Sequence, residues 1–172
     1  MPNRVPWTQR RFDFDFPAEL FPELLERLRG TPARVEEIAR ALPPDVLRKR
    51  DGETWSIQEN IGHLADLESL FSGRLDDFEA GATTLRAADM SNQKTHEAAH
   101  NARPIKEILN EFRTLRQQLV ARLEALSPAD FSRTARHPRL QQPMRIVDML
   151  LFHAEHDDYH LARIRELVCL FR

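Results

Sequence analysis

The sequence predicts an all-α fold, an antiparallel four-helix bundle that carries an N-terminal arm and long connecting loops. Four segments have apolar residues at alternating steps of three and four, which places those residues on one face of a helix. The other segments supply no convincing pair of strands. A chain of 172 residues is close to the length of one ordinary domain. We therefore expect a single domain over residues 1–172, with the arm over 1–17 and the bundle over about 18–171.

The first two elements are the arm and a long helical segment. Three phenylalanines between residues 12 and 16 alternate with charged residues, and we expect this aromatic side of the arm to pack against the body of the protein. The helical segment runs from about residue 18 to 42 and is ended by a pair of prolines. A Gly-Thr-Pro interruption at 30–32 leaves open whether the segment is one kinked helix or two.

The second helix begins at a capping box, in which Ser56 is followed three residues later by Glu59. Its apolar seam continues to a stop at Gly81. Glu68 occupies a seam position where an apolar residue is expected.

Residues 82–103 form a long polar connection with few large apolar side chains. Connections of this length are unusual in a compact domain and are often functional. The third helix, over about 104–126, has an apolar stripe that predicts a purely structural role. Residues 127–130 are predicted to start a short helical turn, and residues 137–143 are predicted to form a loop.

Composition and charge exclude several function classes. Lys and Arg number 25 against 27 Asp and Glu, so the chain has no overall basic field and we expect no nucleic-acid partner. No apolar run approaches about 18 residues, so we expect no membrane partner. The single cysteine, Cys169, excludes an internal disulfide, and its apolar surroundings predict a packed thiol. Because the N-terminus shows no export signal, we expect a cytoplasmic protein.

The fourth helix, over about 145–170, carries two histidines spaced by four residues, His156 and His160. Both imidazoles lie on one face of the helix and can converge on one ion. His63, among apolar neighbours in the second helix, is the candidate third ligand. Three imidazoles without a thiolate suit zinc, nickel or another late divalent ion, and they leave a coordination position open. The alternative is a set of hydrogen-bonded core histidines, since this spacing also arises by chance.

Two carboxylates interrupt otherwise apolar seams, Glu68 in the second helix and Asp157 in the fourth. A buried carboxylate needs a partner, and a metal-bound imidazole needs an acceptor behind it. We therefore predict both as candidate catalytic residues, either as proton handlers or as groups that orient the metal ligands. The alternative is that each is a buried partner of a His or Arg.

The remaining histidines and Asp66 are predicted to lie in the pocket, in the core or at the surface. His153, one turn before the histidine pair, is a candidate pocket residue, with a core histidine as the alternative. Asp66 either orients an imidazole or lies on the surface. His96 and His100 are expected to be solvated, and His137 is expected to be a loop residue.

Two segments resemble the DinB-like (damage-inducible) family. The segment 55–68, with its run GHLADLE, resembles that family's second-helix signature, and the run HDDYHLARI at 156–164 resembles its closing helix. The resemblance is closest to the subgroup that contains YfiT-like metal-dependent hydrolases and bacillithiol transferases. It implies a four-helix bundle that holds a divalent metal through three ligands, His63, His156 and His160.

The resemblance also implies a function. We predict an enzyme that transfers a low-molecular-weight thiol to an electrophilic substrate, with zinc or nickel and that thiol as cofactors. The alternatives are a hydrolase that uses metal-activated water and a non-catalytic metal-binding stress-response protein, and the sequence does not separate the first two. We expect a small-molecule substrate and a homodimer. Gln93 is a further candidate pocket residue, because it stands near an Asp-Gln pair of many relatives. Relatives often have His or Arg before the last ligand, where this chain has Asp158-Tyr159, so the substrate side of the pocket is not carried over.

Overall fold

Four long helices and a set of short elements make up the computed structural model, which describes residues 4–172. The α-helices are α1 (Phe21–Arg40), α2 (Pro44–Arg48), α3 (Ile57–Glu79), α4 (Gln93–Glu97), α5 (Ile105–Glu124) and α6 (Ile146–Phe171). Two short strands, β1 (Thr134–Arg136) and β2 (Pro143–Arg145), pair antiparallel. Single 3-10 turns lie at Trp7–Gln9, Ala18–Leu20, His100–Ala102 and Asp130–Ser132. The predicted all-α four-helix bundle is confirmed.

Local sequence signals set the ends of the long helices. The Ser56 side chain accepts a hydrogen bond from the Glu59 backbone N–H (3.1 Å), and the Glu59 carboxylate accepts one from the Ser56 N–H (2.8 Å). This is the predicted capping box at the start of α3. Helix α1 continues through Pro32 as a single helix, so the two-helix alternative does not apply.

The bundle order is not the order of the chain. Helix α1 packs against α5 and α6, and α3 packs against the same two helices, so α1 and α3 face each other across a diagonal. Both α3 and α5 begin beside one apolar cluster and end beside the other, so they run in the same direction. This neighbouring pair is therefore parallel, which corrects the expectation of an antiparallel arrangement throughout the bundle. The connection 80–104 therefore has to travel the length of the bundle, which explains why it is long.

Two buried apolar clusters fill the bundle. The first surrounds Leu28, Phe71 and Leu150, and the second surrounds Val35 and Ile164. Between them lies one polar residue from each long helix, and we call this group the polar layer: Thr31, Glu68, Arg116 and Asp157.

The arm, the segment between α5 and α6, and the end of α6 can each be compared with the sequence-based expectation. The aromatic residues of the arm pack against the first apolar cluster, as predicted. The short helical turn predicted to start at 127–130 is a 3-10 turn at Asp130–Ser132. The predicted loop over 137–143 connects two strands, β1 and β2, that the sequence does not predict, and their ladder pairs Thr134 with Arg145. Strands of three residues are too short to show alternation in a sequence. The prediction of a packed thiol is wrong, because Cys169 is exposed near the end of α6.

Within residues 4–172, every helix is too short or too polar to cross a lipid bilayer.

Candidate metal centre

Three histidines from two facing helices meet in the bundle. His63 lies on α3, and His156 and His160 lie one turn apart on α6. All three side chains are buried, and one ring nitrogen of each lies within 4.8 Å of those of the other two. Their ring centroids are 4.6 to 5.4 Å apart. The structure thus brings together the three residues that the spacing predicts as metal ligands.

A hydrogen-bonded chain behind His63 fixes its tautomer. The Thr95 hydroxyl donates its proton to Asp66 Oδ2 (2.8 Å), so it can only accept from His63 Nδ1, 3.0 Å away. In the neutral ring the proton is therefore on Nδ1, and the Nε2 lone pair is free to bind an ion. Asp66 also accepts a hydrogen bond from His100 Nε2 (2.8 Å). Both Asp66 and His100 are buried, which corrects the expectation that His100 is solvated and settles Asp66 as an orienting group.

An amide performs the same task for His160. The Asn60 side-chain nitrogen donates to the Ser56 carbonyl (2.7 Å) and the Trp55 carbonyl (3.2 Å). This orients the amide oxygen toward His160 Nδ1, at 2.9 Å. The His160 proton is accordingly on Nδ1, and its Nε2 lone pair is also free.

His156 supplies the third imidazole. Its ring packs edge-on against Trp7, with the centroids 5.0 Å apart. Its Nδ1 atom is buried and has no hydrogen-bond partner among residues 4–172. A buried polar atom without a partner is costly, and a bound ion or water molecule is a common partner for such an atom. Three neutral imidazoles, two of them with free Nε2 lone pairs, are a donor set that fits a divalent metal ion.

Burial keeps the three imidazoles neutral, which metal binding requires. Burial lowers the pKa of His63 to about 4, and the charges of His100 and His96 act in the same direction. Burial also lowers the pKa of His156 and of His160 well below the usual range, and a charge on a neighbouring imidazole would lower each further.

The centre lies in the wall of a cavity of about 650 Å³. Aromatic residues make up much of the surrounding wall, including Trp7 from the arm, Trp55 from the loop before α3, and Tyr159. His96 and His137 also line the cavity, although the sequence indicated only loop positions for them.

The predicted catalytic carboxylates lie elsewhere. Glu68 and Asp157 belong to the polar layer, where the Arg116 guanidinium lies between them. Its Nη2 is 2.6 Å from Glu68 Oε1, and its Nη1 is 2.7 Å from Asp157 Oδ2. Neither carboxylate lines the cavity. The alternative interpretation, a buried partner for Arg, is the arrangement that the structure shows.

The predicted pocket residues are also placed away from the cavity. His153 is buried, its ring stacks on Phe71 with centroids 3.5 Å apart, and its Nε2 accepts from Arg116 Nη2 (2.9 Å). Gln93 is exposed and donates to Glu97 (2.7 Å). The structure places neither in the cavity lining, because one is held in the bundle core and the other points to solvent.

Sequence reasoning missed Arg116, which makes α5 more than an apolar support. A signal was present: Arg116 follows Phe112 by four residues and precedes Leu119 by three, so it stands in the helical stripe. Two buried carboxylates on facing seams also require a cation.

Comparison with known proteins agrees with this architecture. The family model of the DinB superfamily matches residues 27–164. The chain belongs to the DinB superfamily. A Geobacillus kaustophilus protein named "Putative metal-dependent hydrolase" is 26% identical over 170 residues, which cover 96% of this chain and 94% of that protein.

Two solved structures share the fold. YfiT from Bacillus subtilis, described as "a probable metal-dependent hydrolase with an unusual four-helix bundle topology", matches with a TM-score of 0.74 and 20% identity, covering 95% of this chain and 96% of that one. A mycothiol-dependent maleylpyruvate isomerase matches with a TM-score of 0.67 and 13% identity, covering 86% of this chain and 60% of that one.

Proposed function

We propose that this DinB-superfamily protein is a metal-dependent hydrolase whose divalent ion, zinc or nickel, is held by His63, His156 and His160. The observation that carries the proposal is the set of oriented imidazoles in the cavity wall. Two of them have their Nδ1 atoms engaged by Thr95 and Asn60, so their Nε2 lone pairs are free. The names of the Geobacillus and Bacillus relatives support the same class of reaction.

Three neutral protein ligands are typical of catalytic rather than closed structural zinc sites. When bound, such an ion supplies Lewis acidity, which lowers the pKa of a water molecule to about 7 and polarises a substrate carbonyl or phosphoryl group.

The residues around the centre have separate tasks in this proposal. Thr95 and Asn60 hold two of the ligand rings in one orientation and one tautomer. The rings of Trp7 and Trp55 pack against the histidines and shield them from bulk solvent. His96, which is exposed, lines the cavity beside Trp55 with the ring centroids 5.6 Å apart. Glu68 and Asp157 stabilise the bundle and do not handle protons.

Transfer of a low-molecular-weight thiol is the second candidate function. The single cysteine of the chain, Cys169, is exposed and does not line the cavity, so a thiol at the centre has to come from a cosubstrate. The cavity volume of about 650 Å³ is in the range that holds a small molecule. The fold is shared with a mycothiol-dependent isomerase, which supports this chemistry as an alternative use of the same centre.

Elemental analysis combined with a thiol-dependence screen tests the proposal. We expect one divalent ion per chain in the purified protein, loss of that ion in His63→Ala and His156→Ala, and its retention in the matched cavity variant His96→Ala. With metal-loaded protein, hydrolysis of a panel of carboxylic and phosphoric esters should proceed in thiol-free buffer.

The other outcomes decide between the alternatives. Consumption of a chromogenic electrophile only when glutathione, bacillithiol or mycothiol is added would replace hydrolysis by thiol transfer. No turnover in either arm would leave a non-catalytic metal-binding protein. Unchanged metal content in both triad variants would overturn the metal centre itself.

A further inference from the structure

The cavity also contains two arginines that have no acidic partner. Arg74, on α3, has only 2% of its surface exposed, and Arg139 lies in the turn between β1 and β2. Among residues 4–172, neither guanidinium has a carboxylate oxygen within 4.0 Å. Each makes one side-chain hydrogen bond: Arg74 Nε donates to the Arg86 carbonyl and Arg139 Nη1 donates to the Thr8 carbonyl, both at 3.2 Å.

Three residues that line the cavity each carry a buried hydrogen-bond donor without an acceptor. Arg74 Nη1, Arg139 Nη2 and His137 Nε2 are buried and have no partner in the described part of the chain. His137 Nδ1 accepts from the backbone N–H groups of Arg139 (3.2 Å) and Leu140 (3.1 Å). The proton of the neutral His137 ring is therefore on Nε2, which makes this atom a donor like the two arginine nitrogens.

The local charge is positive. Burial lowers the pKa of Arg74, the charges of Arg139 and Arg86 act in the same direction against the charge of Asp77, and the resulting pKa is about 10. Burial lowers the pKa of His137 to about 3, with Arg74 and Arg139 acting in the same direction. The carboxylate of Asp77 is hydrogen-bonded to the Arg86 guanidinium (2.8 and 3.1 Å).

A buried cation without a partner is costly, and a group of buried donors without acceptors is rare in native proteins. A ligand that brings acceptor oxygens and negative charge would resolve both problems. The planar fork of a guanidinium matches the two oxygens of a carboxylate or a phosphate.

We propose that Arg74, Arg139 and His137 form an anion-binding subsite of the cavity, which takes the carboxylate or phosphate group of an acidic small-molecule substrate. This inference rests on the proposed function for its substrate, because the reactive end of that substrate is the histidine centre. The anion-binding property itself does not depend on the metal.

Aromatic rings connect the subsite with the histidine centre. The Phe152 ring is 4.9 Å from His137 and 5.0 Å from Trp7, and Trp7 is 5.0 Å from His156, measured between centroids. The Arg139 guanidinium also lies 5.6 Å from the Phe152 ring. A substrate that reaches both ends therefore has an anionic group, an apolar or aromatic middle, and a reactive group beyond it.

Tryptophan fluorescence can report binding, because both tryptophans of the chain line the cavity. We would titrate the protein at low ionic strength with succinate, with inorganic phosphate and with the neutral diamide of succinate. Binding of one or both anions, but not of the diamide, is the expected result, and the two anions show which acidic group the subsite prefers.

Two variants and a matched control locate the binding. Arg139→Gln and Arg74→Met each remove one charged donor. In each variant we expect the affinity for the preferred anion to fall by roughly tenfold or more, as for the loss of a charge-assisted hydrogen bond. Arg163→Gln is the control, because Arg163 lines the same cavity but is paired with Asp51 (2.9 Å) and Glu166 (3.3 Å). Its affinity for the anion should stay close to that of the parent protein.

The Arg139→Gln variant protects the test against misfolding. Arg139 is half-buried and on a turn, so its substitution is tolerated even if Arg74→Met fails to fold. Thermal unfolding of the parent protein should shift to higher temperature with the anion, and this shift should be absent in Arg139→Gln.

Repeating the titration after chelation and with His63→Ala separates this inference from the proposed function. Unchanged anion affinity in metal-free protein supports the subsite even if the histidines hold no metal. Loss of anion binding on chelation would place the anion on the metal and overturn the subsite. Equal affinities in the parent protein and Arg139→Gln, or equal binding of succinate and its diamide, would overturn it as well.

Discussion

The polar layer and the histidine centre are both buried inside one bundle, yet they differ in how completely their polar atoms are paired. Glu68, Arg116 and Asp157 are 2%, 1% and 0% exposed, and the three histidines of the centre are 3% to 7% exposed. Burial therefore does not distinguish them. What distinguishes them is hydrogen-bond satisfaction, which is complete for the Arg116 guanidinium and incomplete on the cavity side of the histidines.

In the polar layer every N–H of Arg116 has an acceptor. The guanidinium donates to both oxygens of Glu68, to both oxygens of Asp157, to the Leu28 carbonyl and to His153 Nε2. In the centre, His63 and His160 use one nitrogen each to hold their orientation and keep the other free. A closed network of this kind stabilises the bundle, whereas rings with free lone pairs can bind a ligand.

The largest expected effect is on the polar layer. Arg116→Met leaves two buried carboxylates without a cation, and we expect the free energy of unfolding at pH 7 to fall by about 3–5 kcal/mol. Arg122→Met, on the same helix, removes surface ion pairs with Asp76 and Glu79 and should cost at most about 1 kcal/mol. Urea unfolding measures both. A loss below about 1 kcal/mol for Arg116→Met would show that the layer is not held by its ion pairs.

The next effect appears in acid. Burial raises the pKa of Glu68, but the charge of Arg116 and the hydrogen bonds that Arg116 donates outweigh it and hold the pKa at about 2. The unfolded chain has the ordinary pKa of Glu, so this group contributes stability above that value, and the contribution is lost as pH falls toward about 2. Across this window, Glu68→Gln should remove acid sensitivity on the order of 3 kcal/mol. Equal pH dependence of unfolding in the parent protein and in Glu68→Gln would contradict this account.

A smaller effect is expected at the orienting groups of the centre. Thr95→Val breaks the chain from His63 to Asp66, and we expect zinc affinity to fall by roughly 10- to 100-fold, as for other groups that orient a ligand. Thr95→Ser retains the hydroxyl and should retain most of the affinity. Calorimetric titration with zinc compares the two variants. Equal affinities would show that the hydroxyl has no part in orienting His63.

Much of the fold could be predicted from sequence because the pattern of each long helix lies within its own segment of the chain. The heptad-like seams, the capping box at Ser56 and the four-residue spacing of His156 and His160 are properties of single helices. The helix order could not be predicted this way, since it depends on how seams pair across the bundle. The β1–β2 hairpin was missed because three-residue strands show no usable alternation.

The metal ligands of the site could be predicted from the sequence, but the residues that orient them could not. His63 and the histidine pair were accessible from spacing and from apolar flanks, whereas their partners were not, because Thr95 and Asn60 reach the rings only in three dimensions. Glu68 and Asp157 were visible as polar residues in apolar seams. Their roles depend on Arg116, which comes from a third helix, so the seams alone left a catalytic and a structural interpretation open.

The most direct test compares two buried histidines three residues apart on α6. His156 belongs to the centre, and His153 is held by Arg116 and by stacking on Phe71. We would measure bound divalent metal by elemental analysis, together with urea unfolding, in His156→Gln and His153→Gln. We expect that His156→Gln loses the ion, and that His153→Gln keeps it while losing stability. Equal metal content in the two variants would contradict the distinction between the polar layer and the histidine centre.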